Sequence, residues 1–325
     1  MDLEEKLTVV KQNTAEVVTE DELQTLLSTN EHPVTYCGYE PSGPLHLGHM
    51  ITVTKLVDLE RVGCRVKILL ADLHALLNLK GDESYIADQV RTWKKTMGLL
   101  GLKHPEFVTG SSFQLEAEYW KDIMAMATST TIKRGLRSMQ EVARDVENAH
   151  ISQMLYPLMQ AEDIKALSVE IAQSGIEQRK IHMLAREQLP GLGWRAPVCV
   201  HTPLITSLVG PGSKMSSSVE GSNISVVDSA KTIKTRLKKA YCPEGVVEDN
   251  PVLQLAKLLV FPRKKDGLLV ERKPKFGGDI HFGNYKELEQ AFVDKAIHPL
   301  DVKIVVADEL ENIIQPIREE FEKLT

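Results

Sequence analysis

Apolar positions along this chain alternate between two spacings, one helical and one extended. Leu23, Leu26 and Leu27 follow Thr19 and Glu22, a pair at the separation of a capping box, and the first 30 residues or so read as two helices. Val34 to Gly38 reads as a short strand that runs into the turn-rich stretch Glu40-Pro-Ser-Gly-Pro44. Helical periodicity resumes from Leu45 to Leu59. Arg65 to Ala71 is almost wholly apolar in its later half, as a strand covered on both faces requires. A helix over Tyr85 to Leu99 and a strand over Glu106 to Gly110 follow. Ser111 to Leu167 is helical throughout, after which a strand at Ser168 to Ala172, a helix at Glu177 to Glu187 and a strand at Pro197 to His201 restore the alternation.

Five strands alternating with helices predict an α/β fold, a Rossmann-like doubly wound parallel sheet with helices on both faces. The helical insertion, about 111–167, separates its third and fourth strands. Beyond residue 225 the pattern is mainly α-helical: Ser229 to Lys239, Val252 to Leu259, Tyr285 to Lys295 and Pro299 to Leu324. A basic, glycine-containing segment from Pro262 to Gly278 interrupts it. A chain of 325 residues is long for one core, so two domains are expected, 1–225 and 226–325.

Composition narrows the function classes. The net charge is -6 and the pI about 6.0, which excludes a generally basic nucleic-acid binder; contact with RNA must come from local patches of Lys and Arg. Cys37, Cys64, Cys199 and Cys242 are scattered, with no CxxC pair, so neither a zinc site nor a disulfide framework is expected, and no protein-bound metal. The start, Met-Asp-Leu-Glu-Glu-Lys-Leu, carries no signal-like apolar run. The most apolar stretch, Val66 to Leu79, contains Asp72 and His74 and is too short to span a bilayer. The expected location is cytoplasmic.

Two clusters suggest chemistry. His46-Leu-Gly-His49 follows the first strand of the sheet and opens a helix, with Pro44 suited to a first helical turn. Free N–H groups at a helix start favour phosphate, and imidazoles three positions apart share a face and can donate to one anion. Gly48 gives close backbone approach. In isolation the pair reads more readily as ordinary surface or core histidines; placed after the first strand of a doubly wound sheet, the two readings balance. Lys214-Met-Ser-Ser-Ser218 follows the fifth strand and is preceded by Gly210-Pro-Gly212, a pattern suited either to a mobile polyphosphate clamp or to a solvated connector. Both clusters lie where a doubly wound sheet binds nucleotides.

In this order the two clusters resemble the signature motifs of class I aminoacyl-tRNA synthetases. Tyr36-Cys-Gly-Tyr-Glu-Pro-Ser-Gly43, Leu69-Leu-Ala-Asp-Leu-His74, Tyr156-Pro-Leu-Met-Gln-Ala-Glu-Asp163 and Glu177-Gln-Arg-Lys-Ile-His182 narrow the resemblance to tyrosyl-tRNA synthetases of the archaeal and eukaryotic type. It extends over nearly the whole chain. Ser217 stands where the general class I loop has its second lysine, which leaves the cationic work to Lys214.

The resemblance implies ATP-dependent activation of tyrosine to tyrosyl-adenylate and transfer to tRNA(Tyr), with Mg²⁺ arriving on ATP and a homodimer built on the insertion. Tyr36 and Asp163 would bond the tyrosine hydroxyl. Tyr156, Gln160 and Gln178 would hold the ammonium and carboxylate, and Leu69, Ala71, His74, Phe113, Gln114 and Leu167 would line the ring pocket. His46, His49, Lys214, Ser216 and Ser217 would serve the phosphates, with Gly38, Gly48 and Met215 against ATP. Arg137, on a basic helical face with Lys133, Arg134 and Arg144, and Arg179 would meet the acceptor stem. Phe276, His298, Pro299 and Asp301 would read the anticodon. Three alternatives have their own marks. A tryptophan-activating relative would lack the Tyr36–Asp163 pair, and a small-molecule nucleotidyltransferase would not need Phe276. A non-catalytic RNA-binding paralogue would have lost one signature.

Overall fold

A computed structural model of the chain describes residues 1–140, 150–212, 215 and 221–324. Arg144, Lys214, Ser216 and Ser217 lie outside the described residues. The chain divides into two units, Met1–Gly43 with Lys55–Pro203, and Pro44–Thr54 with Leu204–Thr325.

The first unit is built on a six-stranded sheet of β1 (Glu16–Val18), β2 (Val34–Tyr39), β3 (Arg65–Leu70), β4 (Glu106–Thr109), β5 (Ile171–Gly175) and β6 (Val198–Thr202). Its spatial order is β1-β6-β5-β2-β3-β4, parallel except for β1, which pairs antiparallel with β6. The chain runs from β2 outward through β3 and β4, then returns to the other side of β2 as β5 and β6. That reversal beside β2 is the switch point at which open α/β sheets bind ligands. Every residue of β5 and β6 is buried, the polar Gln173, Ser174, His201 and Thr202 included, as central strands covered on both faces require.

Helices α1 (Leu3–Lys11), α2 (Glu20–Thr29), α3 (Leu47–Arg61), α4 (Asp72–Leu77), α5 (Glu83–Met97), α6 (Ala117–Ser129), α7 (Ile132–Met139), α8 (Ile151–Ala166) and α9 (Arg179–Gln188) alternate with these strands. The expected capping box starts α2: Glu22 N–H donates to Thr19 Oγ1, and Thr19 N–H to the Glu22 carboxylate, both at 3.2 Å. Tyr36, Leu69 and Ala172 of the sheet pack with Ile123 and Met126 of α6, Leu158 and Ile164 of α8 and Leu184 of α9 in one apolar cluster. The end of α1 is fixed by Lys55, only 2% exposed, whose ammonium donates to the carbonyls of Val9, Val10 and Gln12 and pairs with Asp58.

Three sequence expectations need correction. The fourth parallel strand begins at Ile171, not Ser168. Ser168 has a left-handed φ of 56°, and Ser168 and Val169 N–H groups bond back to Lys165 and Ile164, so these residues close α8 instead. β1 was not visible: three residues gain strand character only from pairing with β6, nearly two hundred positions away. The basic, glycine-containing segment, for which spacing predicts no strand, contributes half of a hairpin, described next.

In the second unit, α10 (Ala230–Lys239), α11 (Pro251–Leu255), α12 (Tyr285–Val293) and α13 (Pro299–Glu322) surround a core including Leu237, Leu253, Phe292, Val302, Val306 and Leu310. α11 continues as a π-helical turn over Ala256–Val260. β7 (Leu268–Val270) and β8 (Ile280–Phe282) form an antiparallel hairpin. Pro44–Thr54 belongs here through backbone bonds: Leu47 N–H donates to Ile224 O at 3.1 Å, and Val226 N–H to Leu45 O at 2.9 Å.

Candidate active site

Asp163 is the centre of a buried polar cluster in the first unit. It sits on α8, fully buried, in a helix face whose neighbours Met159, Ala161 and Ile164 are apolar. One carboxylate oxygen, Oδ1, accepts from Gln114 Nε2 at 2.7 Å and from the Tyr119 hydroxyl at 2.8 Å. The other, Oδ2, has no hydrogen-bond partner among the described residues, and His74 Nε2, likewise unpartnered, lies 3.7 Å away. Burial raises the Asp163 carboxyl to about 7, with the Gln114 and Tyr119 bonds pulling the other way. A buried acceptor left open is costly unless something arrives to use it.

Tyr36 is 1% exposed on β2, and its phenol is pushed well up, first by burial and then by the charge of Asp163. Gln160 hydrogen-bonds the same phenol and also reaches Gln178 Oε1 at 3.4 Å. Tyr156, four residues before Gln160 on α8, donates to Glu40 at 2.7 Å and meets His74 edge-on with centroids 4.6 Å apart. Asn78 also donates to both oxygens of Glu40. Gln114 is seated by Gly110, where a Cβ would fall 2.4 Å from the Gln114 amide oxygen. Leu69, Ala71, Leu167 and, less buried, Phe113 complete the apolar wall, Phe113 lying edge-on to Tyr119. The structure therefore brings Tyr36, Leu69, Ala71, His74, Phe113, Gln114, Asp163 and Leu167 around one cluster, with Tyr156, Gln160 and Gln178 bonded to its edges. Tyr119 and Glu40 were missed as site residues. Tyr119 donates twice, to Asp163 and to Met159 O at 2.9 Å, yet its separation of 44 positions from Asp163 gives no spacing signal.

The histidine motif is ordered within the second unit. His46 pairs with Ser225 as an isolated bridge, and Ser225 Oγ donates to Leu45 O at 3.1 Å. The two rings stack with centroids 3.6 Å apart and 26° between planes. Gly48 N–H donates to His46 Nδ1 at 3.1 Å, and His46 N–H to His49 Nδ1 at 3.2 Å. Each Nδ1 is thus an acceptor, which assigns both protons to Nε2. Burial lowers His46 to about 4 and holds His49 well below its ordinary range, so both are neutral donors near pH 7. A Cβ on Gly48 would come within 3.0 Å of the His46 ring, which explains why glycine suits the position. Gly38 is exposed on β2, where a Cβ would have no neighbour nearer than 3.8 Å. Met215 N–H bonds Ile205 O at 2.9 Å.

Among the RNA candidates, Lys133 and Arg137 are exposed on α7 and Arg134 is half-buried. Its guanidinium makes paired bonds of 3.0 and 2.9 Å to Glu187 of α9. Arg179, exposed at the start of α9, bonds Glu16. Phe276 is 59% exposed, with Lys275 over its ring at 4.8 Å and left-handed Gly277 and Gly278 after it. Arg272 bonds Gly278 O and Ala296 O, tying this turn to the segment ahead of His298. His298 caps α13 by accepting from Leu300 N–H at 3.1 Å; Pro299 is buried in the first turn and Asp301 half-buried in it. No helix is long and apolar enough to cross a membrane, and no group of three His, Cys, Asp or Glu suited to a metal occurs, both among the described residues.

Residues 28–315 match the family model described as tRNA synthetases class I (W and Y). The tyrosine–tRNA ligase of Archaeoglobus fulgidus is 49% identical over 98% of each chain, and that of Methanococcoides burtonii 48% identical over 98% of this chain and all of its own. The crystal structure of the A. fulgidus tyrosyl-tRNA synthetase complexed with L-tyrosine superposes with a TM-score of 0.95 at 48% identity, covering 98% of this chain and 100% of that one. The chain belongs to the class I tRNA synthetases of the tryptophan and tyrosine group, and within them to the tyrosyl-tRNA synthetases of the archaeal type.

Proposed function

We propose that this tyrosine–tRNA ligase recognises its amino acid through the open Oδ2 of Asp163, and that this one buried, unpartnered carboxylate oxygen carries the assignment. The tyrosine hydroxyl donates to Oδ2 and takes up the Tyr36 phenol on its other side; phenylalanine would leave both buried groups unpaired. Gln160, Gln178 and Tyr156 hold the ammonium and carboxylate. ATP is the second substrate. The substrate carboxylate attacks the α-phosphate and pyrophosphate leaves, with no protein nucleophile. Catalysis is positioning and charge stabilisation, for which two neutral Nε2–H donors of stacked His46 and His49 are suited. Lys214, Ser216 and Ser217 serve the leaving pyrophosphate, and Gly38, Gly48 and Met215 lie against the nucleotide. Mg²⁺ comes with ATP as counter-ion to its phosphates.

Residues 1–225 carry this chemistry and 226–325 read the anticodon, with Phe276 stacking on a base and Asp301 accepting from a base amine. Pro299 fixes the start of α13 and His298 its cap, which orients Asp301. Arg137 and Arg179 meet the acceptor stem. ATP-dependent charging of labelled tyrosine onto tRNA(Tyr) tests the whole reading; folded enzyme that forms tyrosyl-adenylate but charges no tRNA would refute its RNA half. Within it, Phe276→Ala raises KM for tRNA about tenfold, since stacking on an aromatic is worth about 1–3 kcal/mol per base, and leaves tyrosine-dependent pyrophosphate exchange unchanged.

The enzyme acts in the cytoplasm as a homodimer. Leu115, Met124, Ile132 and Ile151, all in or beside the inserted helices, are 61–81% exposed, an apolar set suited to a second copy. Sedimentation is expected to give twice the 36.3 kDa chain mass, and Met124→Asp with Ile132→Asp to give the single chain.

A further inference from the structure

Behind Arg179 lies a row of polar groups that the tyrosine pocket does not use. Glu16 on β1 stands directly opposite His201 on β6 in the antiparallel register. Its Oε1 accepts from Arg179 Nε at 2.6 Å and from His201 Nδ1 at 2.9 Å. Further in, His201 Nε2 and His182 Nδ1 are 3.0 Å apart, with the rings tilted only 27° from parallel. His201 is 0% and His182 1% exposed.

The direction of each bond follows from what the groups can do. A carboxylate only accepts, so His201 carries its proton on Nδ1 and turns an acceptor, Nε2, inward. His182 must then donate from Nδ1. Burial holds both imidazoles below their ordinary range, opposed at His201 by Glu16, so the row is neutral behind a single carboxylate. His182 Nε2 has no partner among the described residues, a cost that a purely apolar pair at these positions would avoid.

Holding β1 against the sheet does not require this arrangement. Arg186 of α9 already does so, donating to Val18 O and Pro197 O and forming paired bonds of 2.8 and 3.0 Å with Glu22. An ordinary exposed ion pair, worth at most about 1 kcal/mol, needs no buried histidines behind it either. What the row does accomplish is to fix one oxygen of Glu16, and through it the plane of an exposed guanidinium at the start of α9.

We propose that Glu16 is a positioning residue for the tRNA step: held by His201 and, through it, by His182, it sets the Arg179 guanidinium for the acceptor stem. This rests on Arg179 meeting the tRNA. Pre-setting a long side chain spares the entropy of ordering it during binding. Glu16 touches no reacting atom, so its effect belongs to the KM for tRNA and not to adenylate formation.

The test is a double-mutant cycle on tRNA charging. Glu16→Gln keeps the shape and removes the charge. It should raise KM for tRNA about tenfold, equivalent to about 1.4 kcal/mol, while pyrophosphate exchange with tyrosine stays within twofold. Glu16→Asp, which keeps the charge and loses reach, should fall between. In an Arg179→Ala background, Glu16→Gln should add nothing. If it adds its full factor there, or has no effect on KM for tRNA where Arg179→Ala does, Glu16 does not act through Arg179 and the proposal is overturned. If Arg179→Ala itself leaves that KM unchanged, the reading of Arg179 as a tRNA contact fails first.

Discussion

Asp163→Asn is expected to lower kcat/KM for tyrosine in pyrophosphate exchange by about a hundredfold, close to 3 kcal/mol, the worth of a buried hydrogen bond to a charged group. The asparagine keeps an oxygen for Gln114 and Tyr119, so the fold of the pocket is retained. It places a neutral amide where Oδ2 stood, and an N–H there competes with the substrate hydroxyl as a donor.

The same residue sets a pH dependence. Burial keeps the Asp163 carboxyl up at about 7, above its ordinary range, so its neutral form predominates below that pH and its charged form above. The charged oxygen is the stronger acceptor. In the free enzyme, kcat/KM for tyrosine should therefore fall as pH drops below about 7 and level off above it. Asp163→Asn has nothing to titrate and should lose this limb. Persistence of the limb in the variant would assign it to another group.

The second large effect is at the stacked histidines. His49→Ala is expected to lower kcat for adenylate formation by about 10²–10³, the range found when one pre-set donor to a developing negative charge is removed, with KM for tyrosine within twofold. His49→Asn should recover part of the loss, because an amide can accept from His46 N–H and still offer a donor. Burial lowers His46 to about 4 and His49 below its ordinary range, so neither changes charge between pH 6 and 8. The loss should be the same across that interval. A defect that deepened as pH fell would mean that the active form is the imidazolium, and would refute the neutral-donor reading.

How much of this was readable in the sequence depended on how local the cause was. The capping box of Thr19 and Glu22 and the co-facing of His46 and His49 are settled within four residues, and spacing shows both. The parallel sheet was readable because β3 ends in the buried apolar run Ile68-Leu69-Leu70 and extended segments alternate with helical ones along the chain. β1 and the β7–β8 hairpin were not, since three-residue strands draw their stability from partners distant in the chain or across a glycine turn. The same divide runs through the site. Tyr36 and Asp163 came from resemblance, and the geometry adds why Asp163 has one spare oxygen: Tyr119 and Gln114, on another element, saturate the first. The link of Arg134 to Glu187 joins two helices whose packing no periodicity reveals.

Amino-acid-dependent exchange of labelled pyrophosphate into ATP, run with each of the twenty amino acids, tests the hydroxyl-reading pocket most directly. The account predicts exchange with tyrosine and none above background with phenylalanine, which differs only in the group that Asp163 and Tyr36 read. Comparable exchange with phenylalanine, or exchange with tryptophan in place of tyrosine, would contradict it.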